Sequence, residues 1–319
     1  MKILVSGKLP GVAVVRLKER HQVDVDAFER PMDRRDLMEK VCDRDGLLCM
    51  ITDKIDSELM EKAPNLRMIA NFGVGYDNID IDEATARGIW VSNTSGVLTD
   101  ATADLTFALI LASARRLVEG DKIVRAGQWT HWGPSVFLGS EVTGKTLGII
   151  GMGTIGKAVA KRARGFDMRV VYYNRNRVPE SDESALNATY CDMDTLLSTS
   201  DFVTLHVALT PQTRQLIGQR ELQLMKRSSF LINASRGPVV DETALVDALR
   251  SRKIAGAGLD VYENEPATAE GLTELDNVVL APHIGSATIE TRTRMAQLAV
   301  TNLLAGLEGE IPPNCLNCG

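Results

Sequence analysis

Short apolar runs at residues 3–6, 46–51, 67–71 and 90–92 lack the polar alternation of a half-exposed strand and are bounded by Gly, Asp or Asn, so they read as strands buried on both faces. A second series at 146–150, 169–173, 202–205, 229–233, 256–259 and 278–280 follows a segment, 99–119, that reads as one long helix. Amphipathic stretches such as 157–166, 221–226, 242–251 and 290–307 lie between or after these runs, with Gly, Pro or Asn at the turns. Alternation of this kind predicts an α/β protein with parallel sheets covered on both sides. The longest apolar stretch, 105–114, contains Thr106 and Ser113 and is too short to span a bilayer, so it reads as a buried helix.

The run at 146–150 leads into Gly151-Met152-Gly153-Thr154-Ile155-Gly156 and then a helix. That is the setting of a dinucleotide-binding turn. Gly151 permits the tight turn, Gly153 lets backbone approach a pyrophosphate, Gly156 lets helix and strand pack closely, and the helix start, with Thr154 and Ile155, offers amides to phosphate. Because the motif stands near the middle of the chain, a second α/β unit must precede it. The expected architecture is two doubly wound parallel-sheet domains: a Rossmann cofactor domain at 99–286 inserted into a flavodoxin-like substrate domain at 1–98 and 287–319, with the last helix crossing back to the first unit.

The strand at 169–173 ends about 20 residues after the first glycine, where a carboxylate would select NAD by binding the ribose hydroxyls and repelling a 2′-phosphate. This chain instead reads Asn174-Arg175-Asn176-Arg177. Two guanidiniums can pair with a phosphate, so NADP(H) is favoured and NAD(H) remains possible; the alternative is two solvated surface arginines.

With 319 residues, 44% of them hydrophobic, the chain can bury the cores of two domains. A net charge of −6 and a pI near 5.4, without a basic stripe, argue against a nucleic-acid or membrane partner. The N-terminus starts directly on a strand and lacks the features of a signal peptide, which suggests a cytoplasmic protein. Five scattered cysteines, Cys42, Cys49, Cys191, Cys315 and Cys318, suit reduced thiols. Cys315 and Cys318 form a C-x-x-C in what reads as a plain mobile tail, and no metal site is expected.

Three polar residues follow strands in the second series. Arg236 comes after 229–233 and could grip a carboxylate and polarise a neighbouring carbonyl. Glu265 lies in Tyr262-Glu-Asn-Glu-Pro266, and His283 in Leu280-Ala-Pro-His283; a Glu–His pair would make an imidazolium available to protonate a carbonyl oxygen. Taken singly, each could be a structural group. Asn71-Phe-Gly-Val74-Gly75-Tyr76 also follows a strand and is either a backbone-lined anion site or an ordinary turn.

Together, Gly151–Gly156, Asn233-Ala-Ser-Arg-Gly-Pro-Val-Val-Asp241, Gly258-Leu-Asp-Val-Tyr-Glu-Asn-Glu-Pro266 and Pro282-His-Ile-Gly-Ser-Ala-Thr288 resemble, in order and spacing, the signature segments of the D-isomer-specific 2-hydroxyacid dehydrogenases. The resemblance covers nearly the whole chain. It implies Arg236, Glu265 and His283 as a catalytic trio, Val74 and Gly75 as a substrate-carboxylate loop, and Asp260 beside the nicotinamide ribose or carboxamide. It also implies cofactor contacts from Thr102, His206, Ala234, Ser235, His283 and Gly285. Formate dehydrogenases of the superfamily carry Gln where Glu265 stands. Gly127-Gln-Trp129-Thr-His-Trp132-Gly-Pro134, the 174–177 loop and Asn314-Cys-Leu-Asn317 are most similar to the glyoxylate/hydroxypyruvate reductases, including those that reduce 2-ketogluconate. This implies a homodimer in which Trp132 either reaches the partner's substrate site or, with Trp129, fills the interface. His206-Val-Ala208-Leu-Thr departs from the family's proline-containing loop. Alternatives are an NAD-linked dehydrogenase acting on phosphoglycerate or another hydroxy acid, and a non-enzymatic nucleotide-sensing regulator.

Overall fold

The computed structural model describes residues 1–318 except 27 and 29. The strands are β1 (Lys2–Val5), β2 (Gln22–Val25), β3 (Gly46–Met50), β4 (Met68–Phe72), β5 (Trp90–Ser92), β6 (Thr146–Ile150), β7 (Arg169–Tyr173), β8 (Ala188–Tyr190), β9 (Phe202–Leu205), β10 (Phe230–Asn233), β11 (Gly256–Leu259) and β12 (Val278–Leu280). The chain divides into two compact units, Met1–Leu98 with Ser286–Gly319, and Thr99–Gly285, one residue earlier at the second boundary than the sequence suggested.

In the first unit five parallel strands run in the order β2-β1-β3-β4-β5, reversing direction of growth between β1 and β3 as in flavodoxin-like sheets. Pairing places Leu4 against Leu47, Leu47 against Ile69 and Ile69 against Val91. Because side chains alternate along a strand, that row enters one core, while Ile3, Val5, Leu48, Met68 and Ala70 enter the other. The second core is closed by Ala296, Ala299, Val300, Leu303 and Leu307 of the helix Ile289–Glu308, the segment expected to return to this unit.

The second unit holds seven parallel strands in the order β12-β11-β10-β9-β6-β7-β8. Counted from β6, this is the Rossmann order 3-2-1-4-5-6 with one further strand at the margin. Ile150, Val171, Leu205 and Leu231 fill one face, and Leu147, Ile149, Tyr172 and Ile232 the other. The helices Thr99–Ala114 and Thr154–Ala163 cover the latter through Phe107, Ile110, Val159 and Ala160.

Three expectations are corrected. The strands β2 and β8 were absent from the sequence reading because both lie at sheet edges, where short polar segments suffice. The single helix expected over 99–119 breaks at Arg116, whose left-handed φ of 53° separates Thr99–Ala114 from Leu117–Arg125. Finally, Cys315 and Cys318 are joined in a disulfide rather than being reduced thiols in a loose tail. The tail is fastened to β5: Leu316 N donates to Val91 O at 2.7 Å, Val91 N donates to Asn317 Oδ1 at 2.8 Å, and Asn317 Nδ2 donates to Ile89 O at 2.9 Å. These bonds hold the turn after Pro312 so that the two thiols meet. Among the described residues no helix is long and apolar enough to cross a membrane, and no group of three or more His, Cys, Asp or Glu could hold a metal ion.

Candidate active site

Parallel strands all end on one edge, so β10, β11 and β12, neighbours in the second sheet, release their following loops side by side. Those loops carry Arg236, Asp260 with Glu265, and His283. At the end of β10, Asn233 shapes its loop by accepting from the Ser235 amide at 3.0 Å and hydroxyl at 2.8 Å and donating to Arg236 O at 2.9 Å. Asp260, fully buried, accepts from Ile284 N and Gly285 N at 2.7 Å each, and its own carbonyl accepts from His283 N at 2.9 Å. Burial pushes the Asp260 carboxyl up, opposed by those amides and by His283. The loop so held keeps His283 at φ 53°, a conformation rarely adopted by a non-glycine residue and characteristic of constrained sites. Thr102 and Asp260 both stand beside Gly285.

Glu265 Oε1 accepts from Tyr262 N at 3.0 Å, and Oε2 meets His283 Nδ1 at 2.8 Å. Burial opposes ionisation of Glu265, but the hydrogen bond and charge of His283, the Tyr262 amide and the charge of Arg236 outweigh it and hold the carboxyl below its usual range. The trio is therefore a carboxylate, an imidazole bonded through Nδ1, and a guanidinium near enough to act on the carboxylate electrostatically. Such a group can deliver or accept a proton beside an anchored anion.

On the same edge, the turn after β6 fits a dinucleotide. Gly151 has φ +99°, and a Cβ on Gly156 would strike the Gly151 carbonyl oxygen, so no other residue allows this approach of helix to strand. A Cβ on Gly153 would meet nothing within 4 Å, which leaves that backbone open to a ligand. The helix Thr154–Ala163 starts without a side-chain cap, leaving its first-turn amides available to phosphate oxygens. At the end of neighbouring β9, both ring nitrogens of His206 are buried with no protein partner among the described residues, and burial lowers its pKa to about 4, so the ring is neutral. Ala234 and Ser235 lie at the same sheet edge, after β10.

Asn174 accepts from Met152 N at 3.3 Å, tying the loop after β7 to the glycine turn. Arg175 is exposed and makes no hydrogen bond or ion pair among the described residues. Arg177 was expected beside it on a 2′-phosphate. Its guanidinium instead forms a fork on Glu183, Nε to Oε1 at 2.8 Å and Nη2 to Oε2 at 2.7 Å, because a buried carboxylate demands a charged partner.

In the first unit, three successive carbonyls of the loop after β4 are turned inward: Gly73 O accepts from Thr94 N at 2.9 Å, Val74 O from Asn93 Nδ2 at 2.8 Å, and Gly75 O from Asn71 Nδ2 at 2.7 Å. In a planar trans peptide the N–H opposes the C=O. The amides of Val74, Gly75 and Tyr76 therefore point the other way, and none has an acceptor among the described residues. Backbone donors turned outward in this way can hold a small anion. Asn93 is held in turn by Asn302 Nδ2, which donates to its carbonyl at 2.9 Å. Trp129 and Trp132 are 64% and 79% exposed, so neither fills a core of its own chain.

A profile described as the NAD-binding domain of D-isomer-specific 2-hydroxyacid dehydrogenases matches residues 107–285. A protein from Thermococcus litoralis named glyoxylate reductase is 53% identical over 320 residues, spanning 99% of this chain and 96% of its own. The chain belongs to the D-isomer-specific 2-hydroxyacid dehydrogenases. Among solved structures, a Thermus thermophilus protein superposes on the dehydrogenase with a TM-score of 0.91 at 47% identity, covering 99% of this chain and all of the other. An NADPH-dependent glyoxylate/hydroxypyruvate reductase from Sinorhizobium meliloti, in complex with NADP and malonate, gives 0.87 at 34% identity, covering 99% of this chain and 96% of the other.

The dehydrogenase is thus an oxidoreductase with an NAD(P)-binding domain. Sequence reasoning did not find Asn71, Asn93, Asn233, Tyr172 or Glu183, nor the amide of Tyr76. An asparagine at the end of a strand, as at 71, 93 and 233, is the signal that could have drawn attention to three of them, since it is the side chain suited to tying back a loop carbonyl or amide.

Proposed function

We propose that the dehydrogenase reduces small 2-oxo acids to D-2-hydroxy acids, with glyoxylate foremost and hydroxypyruvate and 2-ketogluconate in the same class, and with NADPH preferred to NADH. The observation that carries this reading is the 2.8 Å His283–Glu265 contact on the sheet edge that also bears Arg236 and the glycine turn. The relatives' names support the substrate class, and the absence of a carboxylate after Tyr173 together with exposed Arg175 supports NADPH. When bound, the nicotinamide supplies the hydride for the carbonyl carbon. Glu265 accepts from Nδ1 of the imidazolium, which leaves the proton on Nε2 for the carbonyl oxygen as it gains charge. Arg236 donates to the carboxylate and polarises the carbonyl, while the amides of Val74, Gly75 and Tyr76 bind carboxylate. In the oxidation direction the neutral imidazole takes the hydroxyl proton.

A second copy of the chain is the proposed partner of the segment 117–138, where Leu117, Val124, Trp129, Trp132, Val136 and Leu138 are all exposed. Within that dimer Trp132 is the residue proposed to reach the partner's substrate. Sedimentation equilibrium should give the mass of two chains; a single-chain mass at micromolar concentration would remove the dimer.

His283→Asn should reduce glyoxylate turnover by about 100-fold or more while leaving NADPH binding by fluorescence titration intact. Turnover near the native rate in this variant would exclude His283 as the proton donor. Glu265→Gln removes the carboxylate that fixes the His283 ring and should lower glyoxylate turnover about tenfold or more, with NADPH binding unchanged by the same titration; native turnover in this variant would exclude that positioning role. Asn71→Ala should raise the KM for glyoxylate about tenfold, the cost of one lost buried hydrogen bond, with little change for glyoxal, which lacks the carboxylate. Equal losses on both substrates would contradict the three-amide nest.

A further inference from the structure

The loop that bears the two arginines is anchored at both ends. Asn174 fastens its start to Met152 N, and its Nδ2 donates to Asn176 O at 2.9 Å. At the other end Glu183, on the helix Glu180–Leu186, is buried and receives the fork from Arg177 together with the hydroxyl of Tyr172 at 2.5 Å. That hydroxyl accepts in turn from Val178 N at 3.2 Å, and the Arg177 guanidinium also lies over the Tyr190 ring at 5.9 Å. Tyr172 has no exposed surface, so the network is seated in the β7 core and fixed by it. The hydrogen bonds of Arg177 and then of Tyr172 hold the Glu183 carboxyl down at about 2, and burial with the Glu183 bond pushes Tyr172 up to about 12. Glu183 is therefore a carboxylate, and Arg177 its counter-charge, throughout the physiological range. Between these anchors only Arg175 presents a guanidinium without a protein partner among the described residues.

We propose that Glu183, supported by Tyr172, is a specificity-determining positioning residue: it commits Arg177 to anchoring the loop and so makes Arg175 the ligand of the cofactor's 2′-phosphate. This rests on the NADPH reading above and goes beyond it by dividing the roles of two arginines that sequence treats alike. The division has a physical basis. A guanidinium forked through Nε and Nη2 on a buried carboxylate has its charge already compensated and only its Nη1 edge left for a phosphate, whereas Arg175 has its whole fork and gives up only solvent.

Steady-state KM and kcat with NADPH and with NADH, at saturating glyoxylate, test this in the full-length protein carrying Arg175→Ala, Arg177→Ala, Glu183→Gln or Tyr172→Phe. Arg175→Ala should raise the NADPH KM about tenfold or more, the worth of a charge-assisted bond, and leave NADH unchanged. Glu183→Gln should raise the NADPH KM several-fold at unchanged kcat and unchanged NADH KM, with Tyr172→Phe moving the same way by less. The sign is diagnostic: were Arg177 itself a phosphate ligand restrained by Glu183, releasing it would lower the NADPH KM, and that result overturns the proposal. So does an equal change with both cofactors, which marks a purely structural role, or no change with either. A large NADPH-selective loss in Arg177→Ala with none in Arg175→Ala overturns the division of roles while leaving the NADPH reading standing. A wild-type enzyme indifferent to the 2′-phosphate removes that reading itself. Tyr172→Phe keeps the ring that fills the core, so the proposal stays testable if Glu183→Gln does not fold.

Discussion

Parallel strands deliver every following loop to the same edge, and the chemistry of this protein depends on that constraint. Arg236, Asp260 with Glu265, and His283 are far apart in sequence, yet each follows one of three adjacent strands, β10, β11 and β12. The sheet brings the loops together, and buried hydrogen bonds then aim them. Asp260 illustrates the division of labour: both its oxygens are taken by the amides of Ile284 and Gly285, so it acts on the ring of His283 by fixing the loop that carries it. The strained backbone of His283 is maintained because the Asp260 and Glu265 contacts over-determine its position.

A second principle recurs in both units. At the loops after β4, β6 and β9, the groups that shape the backbone are hydrogen-bonded within the protein while others stand without partners among the described residues. The carbonyls of Gly73, Val74 and Gly75 are tied back, which turns three amides outward. The helix after the glycine turn has no side-chain cap, and His206 buries two nitrogens without partners among the described residues. Glu183 shows the converse. Its requirement for compensation draws in Arg177 and leaves Arg175 as the uncommitted charge.

Most of the architecture was legible because buried parallel strands write themselves as continuous apolar runs. Ten strands were read in this way, whereas β2 and β8 escaped because edge strands need no such run. The break at Arg116 was hidden because the residues around it favour helix, and what stops the helix is one left-handed residue whose side chain forks onto Glu119 and covers Phe137. The trio was visible as polar residues after strands, but singly each could have been structural; their mutual spacing is a property of the fold. Arg175 and Arg177 could not be told apart, since the residues that distinguish them, Tyr172 and Glu183, read as an ordinary strand aromatic and an ordinary helix carboxylate. The Cys315–Cys318 pairing depended on Leu316 and Asn317 fastening the tail to β5, a tertiary contact that local composition does not announce.

We propose that this sheet edge runs a reduction of a 2-oxo acid with a phosphorylated nicotinamide nucleotide. Initial rates of NADPH and NADH oxidation in the presence of glyoxylate, measured side by side on the purified protein, test it most directly. Glyoxylate-dependent oxidation with a kcat/KM higher for NADPH than for NADH is expected. Absence of oxidation with either nucleotide would contradict the reductase assignment, and equal use of the two would contradict the role given to Arg175.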